Sequence, residues 1–188
     1  MGGAVLETER LRLRPHTIDD FESLHGLTAA PETRQFLSGT PSREESYKRL
    51  LTSIANWHVF GYGTFAVIER ETDEYVGNCG LFRLERDLDP PFAGEPEAGW
   101  IIAPGRWGRG YASEAMEASL DWFDRTSGIS RTVCMISPGN AASEAVARRL
   151  RYLFTGPSIY KGEEAMNLYA REAAPQPSLT RSISAPTA

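Results

Sequence analysis

The stretch 97–124 restricts the fold of this chain more than any other. Its apolar run Trp100-Ile101-Ile102 reads as a strand, Trp107-Gly108-Arg109-Gly110 as a tight turn, and the segment from Tyr111 onward as an amphipathic helix. Ala112, Ala115, Met116, Leu120 and Phe123 share one face of that helix, while Glu114, Glu117, Asp121 and Asp124 occupy the other. The helix therefore has to pack against a core. A helix starts with main-chain N–H groups that have no partner inside it, and small residues just before it let a ligand approach them closely. A strand-turn-helix junction of this kind binds anions.

The remaining chain supplies elements to surround the junction. Residues 9–14 alternate Leu11 and Leu13 with Arg10, Arg12 and Arg14, as a half-buried first strand does, and Pro15 closes it. Thr17 with Asp20 and Ser42 with Glu45 are capping pairs, so two helices are expected, one through Phe21, Leu24 and Leu27 and one through Leu50, Ile54 and Trp57. Residues 31–37 add a turn of helix between them, and Gly61-Tyr62-Gly63 ends this helical flap. Residues 64–69 and 75–84, joined by Thr72-Asp73-Glu74, form a hairpin, and the Pro- and Gly-rich run 87–96 reads as a loop. Beyond the central helix, which Gly128 caps, 131–136 reads as a strand. Asn140 is the N-cap of a helix with Ala142, Ala145, Val146, Arg149 and Leu150 inward, and 166–170 forms a last strand. Residues 173–188 hold too little apolar material to repay ordering and are expected to be a mobile tail after a single domain, 1–172.

Composition narrows the partners. With 188 residues, 20 Lys+Arg against 25 Asp+Glu and a formal charge of -5, the chain suits one core and lacks the broad basic face of a nucleic-acid binder. No apolar run reaches the length of a membrane span and no basic-then-apolar leader opens the chain, so a soluble cytoplasmic protein is expected. Cys79 and Cys134 lie far apart, without a CxxC pair or a His at ligand spacing; no metal site is expected, and both read as small buried residues of a reducing compartment. His16, His25 and His58 are isolated and read as surface or capping residues, Trp57 and Trp122 as packing aromatics.

Three phosphate-binding patterns compete for the glycine turn. A P-loop would need Gly-Lys-Ser/Thr after it, which is absent. A dinucleotide fingerprint would need a third glycine or alanine where Ser113 stands, and a preceding βαβ unit where the chain reads as a hairpin. A pyrophosphate held by successive main-chain amides at a helix start fits best.

The segment Pro104-Gly105-Arg106-Trp107-Gly108-Arg109-Gly110-Tyr111-Ala112, with Gly99-Trp100-Ile101-Ile102 before it, resembles the acyl-CoA-binding signature of the GNAT superfamily of N-acetyltransferases. Glu7 to Arg14, Val76 to Leu81 and Asn140-Ala141-Ala142-Ser143 follow the same order as in the branch that acetylates ribosomal-protein N-termini (alanine or serine), and the likeness covers 8–171. Trp107 departs from the first position of the family's usual Gln/Arg-x-x-Gly-x-Gly/Ala pattern, while Ala112 stands at its last. The resemblance implies an α/β (α+β) fold: a mixed, mainly antiparallel sheet with helices on both faces, whose strand 100–102 splays from 131–136. It implies acetyl-CoA as cosubstrate, held by Trp107, Gly108, Arg109, Gly110, Tyr111 and Ala112, with the Ile102 amide polarising the thioester and Asn140 and Ser143 along the other wall. Arg106 and Arg109 either add charge at the phosphate or remain solvated loop cations.

On this resemblance, the reaction is attack of a neutral primary amine, a peptide N-terminus or a small molecule, on the thioester in a ternary complex. Many relatives protonate the leaving thiolate with a Tyr where this chain has Ala147, so Ser143 is the substitute candidate. Glu97, at the start of the central strand, is a candidate base or an exposed strand-end acid; Glu163 and Glu164 are further candidates, and Tyr160, Asp87 and Asp89 line the acceptor side or a solvated loop. A homodimer belongs to the family expectation. The rival reading is a non-catalytic acyl-CoA-binding sensor.

Overall fold

The computed structural model describes residues 4–173 other than Phe36, Ser38 and Ala93, so the tail expected from 173 onward lies outside the described residues after Ala173. Strands β1 (Leu6–Glu7) and β2 (Leu11–Pro15) lead to helices α1 (Phe21–Ala29), α2 (Pro31–Arg34) and α3 (Arg43–Phe60). Next come the hairpin β3 (Thr64–Glu69) and β4 (Tyr75–Phe82), the short β5 (Leu88–Asp89), then β6 (Glu97–Ile102), α4 (Tyr111–Thr126), β7 (Arg131–Ile136) and α5 (Ala141–Arg149). The hairpin β8 (Leu153–Tyr160) and β9 (Glu164–Glu172) follows. Among the described residues these strands form one sheet, ordered β1-β2-β3-β4-β6-β7-β9-β8-β5 and antiparallel everywhere except between β6 and β7. A parallel pair needs a crossover, and α4 provides it.

Local signals explain most of these elements. Ser42 and Glu45 exchange bonds at the start of α3, Ser42 N donating to Glu45 Oε2 (2.7 Å) and Glu45 N to Ser42 Oγ (3.2 Å). Gly61, in the left-handed region at φ 76°, stops that helix. Leu11 and Leu13 are fully buried and join Phe65, Val67, Ala115, Met116, Leu120 and Phe123 in the main core. Burying a side chain of this size contributes roughly 1.5–3 kcal/mol, so the apolar stripe of α4 is what fixes it to the sheet. Trp57 packs on Phe65 and Trp122 (ring centroids 4.9 and 5.3 Å) and donates through Nε1 to Thr64 O (2.9 Å). The described residues contain no helix long and apolar enough to cross a membrane.

Three expectations are corrected. The inward face of α5 consists of Val146, Ala147 and Leu150 with Ser143, whereas Ala142, Ala145 and Arg149 are exposed. His16 is buried, with Nε2 3.0 Å from Asn78 Oδ1, and is no surface residue. The run 87–96 contains strand β5, paired with Ile159 and Tyr160. Strand β8 was missed because Gly156-Pro157 reads as a turn. The register shifts between Phe154 and Gly156, and β5 pairs only with Tyr160 and Ile159, so Pro157 sits where no β5 residue pairs with it.

Candidate functional site

Strand β6 is paired with β4 along its whole length, from Glu97 opposite Phe82 to Ile102 opposite Gly77. Toward β7 it has one register pair, Glu97 with Val133, joined by Val133 N donating to Pro96 O (3.0 Å). Main-chain polar groups alternate sides along a strand. Because Ala103 N donates to Val76 O on the β4 side and Pro96 O accepts from β7, the N–H and C=O of Ala98, Trp100 and Ile102 face β7. No β7 residue stands opposite Trp100 or Ile102 in the ladder. The strand pair therefore opens toward its C-terminal ends, and Trp107 closes one edge by donating Nε1–H to Ile102 O (2.6 Å).

The glycine-rich loop follows the open end of β6. A short 3₁₀ turn, Pro104–Arg106, is followed by Gly108 and Gly110 in the left-handed region (φ 72° and 82°), a conformation that costs glycine little and other residues more. The first helical bond of α4 is Glu114 N to Gly110 O (3.0 Å), so the Tyr111, Ala112 and Ser113 amides have no partner within the helix. Side chains hold this backbone from two sides. On one, Glu69 accepts from Tyr111 Oη (2.5 Å), Thr72 Oγ1 (2.8 Å) and Arg106 Nη2 (2.8 Å), and Arg106 Nη2 also donates to Glu74 (2.8 Å). On the other, Arg10 donates to Glu114 Oε2 (2.7 Å) and Arg109 O (2.8 Å), with its guanidinium 4.6 Å from the centre of the Tyr111 ring. The Tyr111 hydroxyl, Thr72 and Arg106 hold the Glu69 carboxyl down at about 2, and the Glu69 carboxylate in turn raises the Tyr111 hydroxyl above its ordinary value.

Across the gap, Asn140 Oδ1 accepts from Ser143 N (3.1 Å) and caps α5. Ala147 on the same face is fully buried. At the closed end of the strand pair Glu97 is only 5% exposed and is gripped by Arg86, Nε to Oε2 (2.7 Å) and Nη2 to Oε1 (2.9 Å). Arg86 Nη1 also reaches Tyr160 Oη (3.3 Å). Burial pushes the Glu97 carboxyl up, and the Arg86 fork offsets this only in part. Glu97 is thus not an exposed strand-end acid.

A strand that opens beside a glycine-rich helix start is a fold with known relatives. A family model described as an acetyltransferase (GNAT) domain matches residues 10–152. The chain belongs to the GNAT acetyltransferase family. A solved GNAT-family acetyltransferase from Bordetella pertussis is 30% identical, with a TM-score of 0.78 over 89% of this chain and 99% of that one. N-acetyltransferase p20 of Bacillus licheniformis is 28% identical over 149 residues, 78% of this chain and 81% of its own. RimL, a ribosomal L7/L12 alpha-N-protein acetyltransferase solved in complex with coenzyme A, shares the fold at 24% identity (TM-score 0.72, covering 90% and 98%). This GNAT chain is accordingly an acetyl-CoA-dependent acetyltransferase, and the non-catalytic sensor reading is set aside.

Within this GNAT domain the structure brings Ile102, Trp107, Gly108, Arg109, Gly110, Tyr111 and Ala112 together at one end of the gap. Asn140 and Ser143 open α5, which follows β7 on the other wall. Arg106 is engaged by two carboxylates, and Glu163 is exposed in the β8–β9 turn. Sequence reasoning missed Arg10, Glu69 and Arg86. Arg10 stands on the polar side of an alternating strand, and nothing in the hairpin pattern of 64–69 marks Glu69 as buried, yet every residue of β3 is buried. Only Arg86 left a signal, since an acid opening a central strand needs a cation and Arg86 stands in the segment before it.

Proposed function

We propose that this GNAT enzyme acetylates a primary amine, a protein N-terminus or a small molecule, by direct attack on acetyl-CoA in a ternary complex. The single observation that carries the reading is the row of β6 main-chain groups facing a gap that ends at the anion loop. The β6 main-chain groups left open toward the gap would take the pantetheine arm, and the amides from Gly108 to Ser113, with Arg109, would hold the pyrophosphate. Attack of the amine nitrogen on the carbonyl carbon places negative charge on the oxygen, which the Ile102 N–H stabilises. The C–S bond then breaks. A thiol pKa of about 8.5 lets the thiolate leave with little help, so Ser143 contributes a hydrogen bond at the sulfur rather than an indispensable proton.

The proton lost by the amine goes to a carboxylate or to water. Glu97 is the candidate nearest the closed end of the gap, with Arg86 fixing its oxygens, and Glu163 is the exposed alternative. We read 1–172 as one acyltransferase domain acting in the cytoplasm. Leu153 and Phe154, 74% and 57% exposed on β8, support a homodimer.

Thiol release from acetyl-CoA with a panel of N-terminal peptides and small amines tests the acceptor. Initial-rate lines that intersect when both substrates are varied are expected for the ternary complex; parallel lines would replace it with a covalent intermediate.

A further inference from the structure

A cation inside an anion loop invites the reading that it touches phosphate, but Arg106 is turned the other way. Its Nη2 is 2.8 Å from both Glu69 and Glu74. Glu69, at the end of β3, is 5% exposed, and its oxygens also receive the hydroxyls of Thr72 and Tyr111. Tyr111 is the first residue of α4, so the bond from its hydroxyl to Glu69 fixes where the helix starts. A bare carboxylate here would repel a pyrophosphate at the same loop, and Arg106 is the cation that compensates it. Arg106 Nε is buried without a partner, so a direct phosphate contact is the rival outcome that a test has to separate.

We propose that Glu69 is a positioning residue for the anion loop, and that Arg106 acts by neutralising and orienting Glu69 rather than by binding phosphate. The proposal rests on the pyrophosphate reading of the loop. It predicts that the two residues are coupled in a particular sense. Without Arg106, an uncompensated carboxylate stands beside the phosphate site; without both charges, the Gln amide still accepts from Tyr111 and donates to Thr72.

The test is calorimetric titration of coenzyme A into the unaltered protein, Arg106→Ala, Glu69→Gln and the double variant. Arg106→Ala is expected to weaken binding by roughly tenfold or more, Glu69→Gln by about threefold, and the double variant should recover most of the Arg106→Ala loss. The KM for acetyl-CoA should rise far more than that for acetyl-pantetheine, which lacks the pyrophosphate, and Arg106→Lys should restore part of the affinity. A double variant no better than Arg106→Ala, or losses that simply add, overturns the proposal in favour of direct contact. If Arg106→Ala does not fold, Tyr111→Phe serves instead: its loss of affinity must disappear in the Glu69→Ala background, where no acceptor for the hydroxyl remains, and persistence overturns the idea. Failure of the unaltered protein to bind coenzyme A overturns the pyrophosphate reading itself, and this proposal with it.

Discussion

The open end of the β6–β7 gap is lined by β6 main-chain groups, whereas the closed end presents side chains. At the open end two carboxylates, Glu69 and Glu114, each bonded to an arginine, brace the glycine-rich loop. At the closed end the buried Glu97 faces the half-buried Arg86 beside Tyr160. Main-chain amides recognise phosphate and amide whatever the side chains are, so a pattern of small residues identifies the donor. The side chains around Glu97 come from β6, the segment before it and β8, and on the proposed function they would set acceptor preference.

The largest effect that could break this contrast comes from Gly110→Asp. Its φ of 82° disfavours any side chain, and the new charge lies where phosphate should bind, so acetyl-CoA affinity should fall more than about a hundredfold while the circular dichroism stays native. Unchanged affinity in a folded variant would sink the main-chain account. Next, Arg86→Ala should lower stability to urea by roughly 3–5 kcal/mol, because it leaves the buried Glu97 charge unpaired, and adding Glu97→Gln should restore part of it.

The two ends should also respond differently to acid. The Glu69 carboxyl lies below its ordinary value, so the stability it contributes is fully present above the unfolded-state value of 4.5 and is lost as pH falls toward about 2. Melting temperature followed from pH 8 to 3 should show an acid limb that flattens in Glu69→Gln. Glu97, raised by burial, works in the opposite sense: its ionised form is disfavoured in the fold, a penalty that disappears as the pH falls and the group protonates. The smallest effect is expected for Ser143→Ala, which should lower kcat by less than about tenfold and leave the KM for acetyl-CoA nearly unchanged, since the thiolate is a good leaving group. A much larger loss in kcat would make Ser143 the acid.

Much of the fold was legible wherever a signal is local. The Leu11 and Leu13 alternation, the Ser42–Glu45 capping box, the Gly61 stop and the stripe on α4 each depend on residues a few positions apart. The glycine loop and the Asn140 cap were legible for the same reason. β8 was not, because its apolar Leu153, Phe154 and Ile159 are exposed and a Gly-Pro pair between them defeats any period of two. The inner face of α5 was misjudged because alanines carry almost no information about which side is buried.

By itself, then, the sequence determined most of the elements, a helix start suited to an anion and the kind of donor it would take. Only the tertiary structure decided that β6 and β7 part after Glu97, that Glu97 is buried against Arg86, and that Arg106 faces Glu69. Periodicity and caps act within one turn of chain, whereas charge pairs join residues 11 and 37 positions apart here, and the β6–β7 divergence joins strands on either side of a helix. Such partners exist only once the sheet has closed around them.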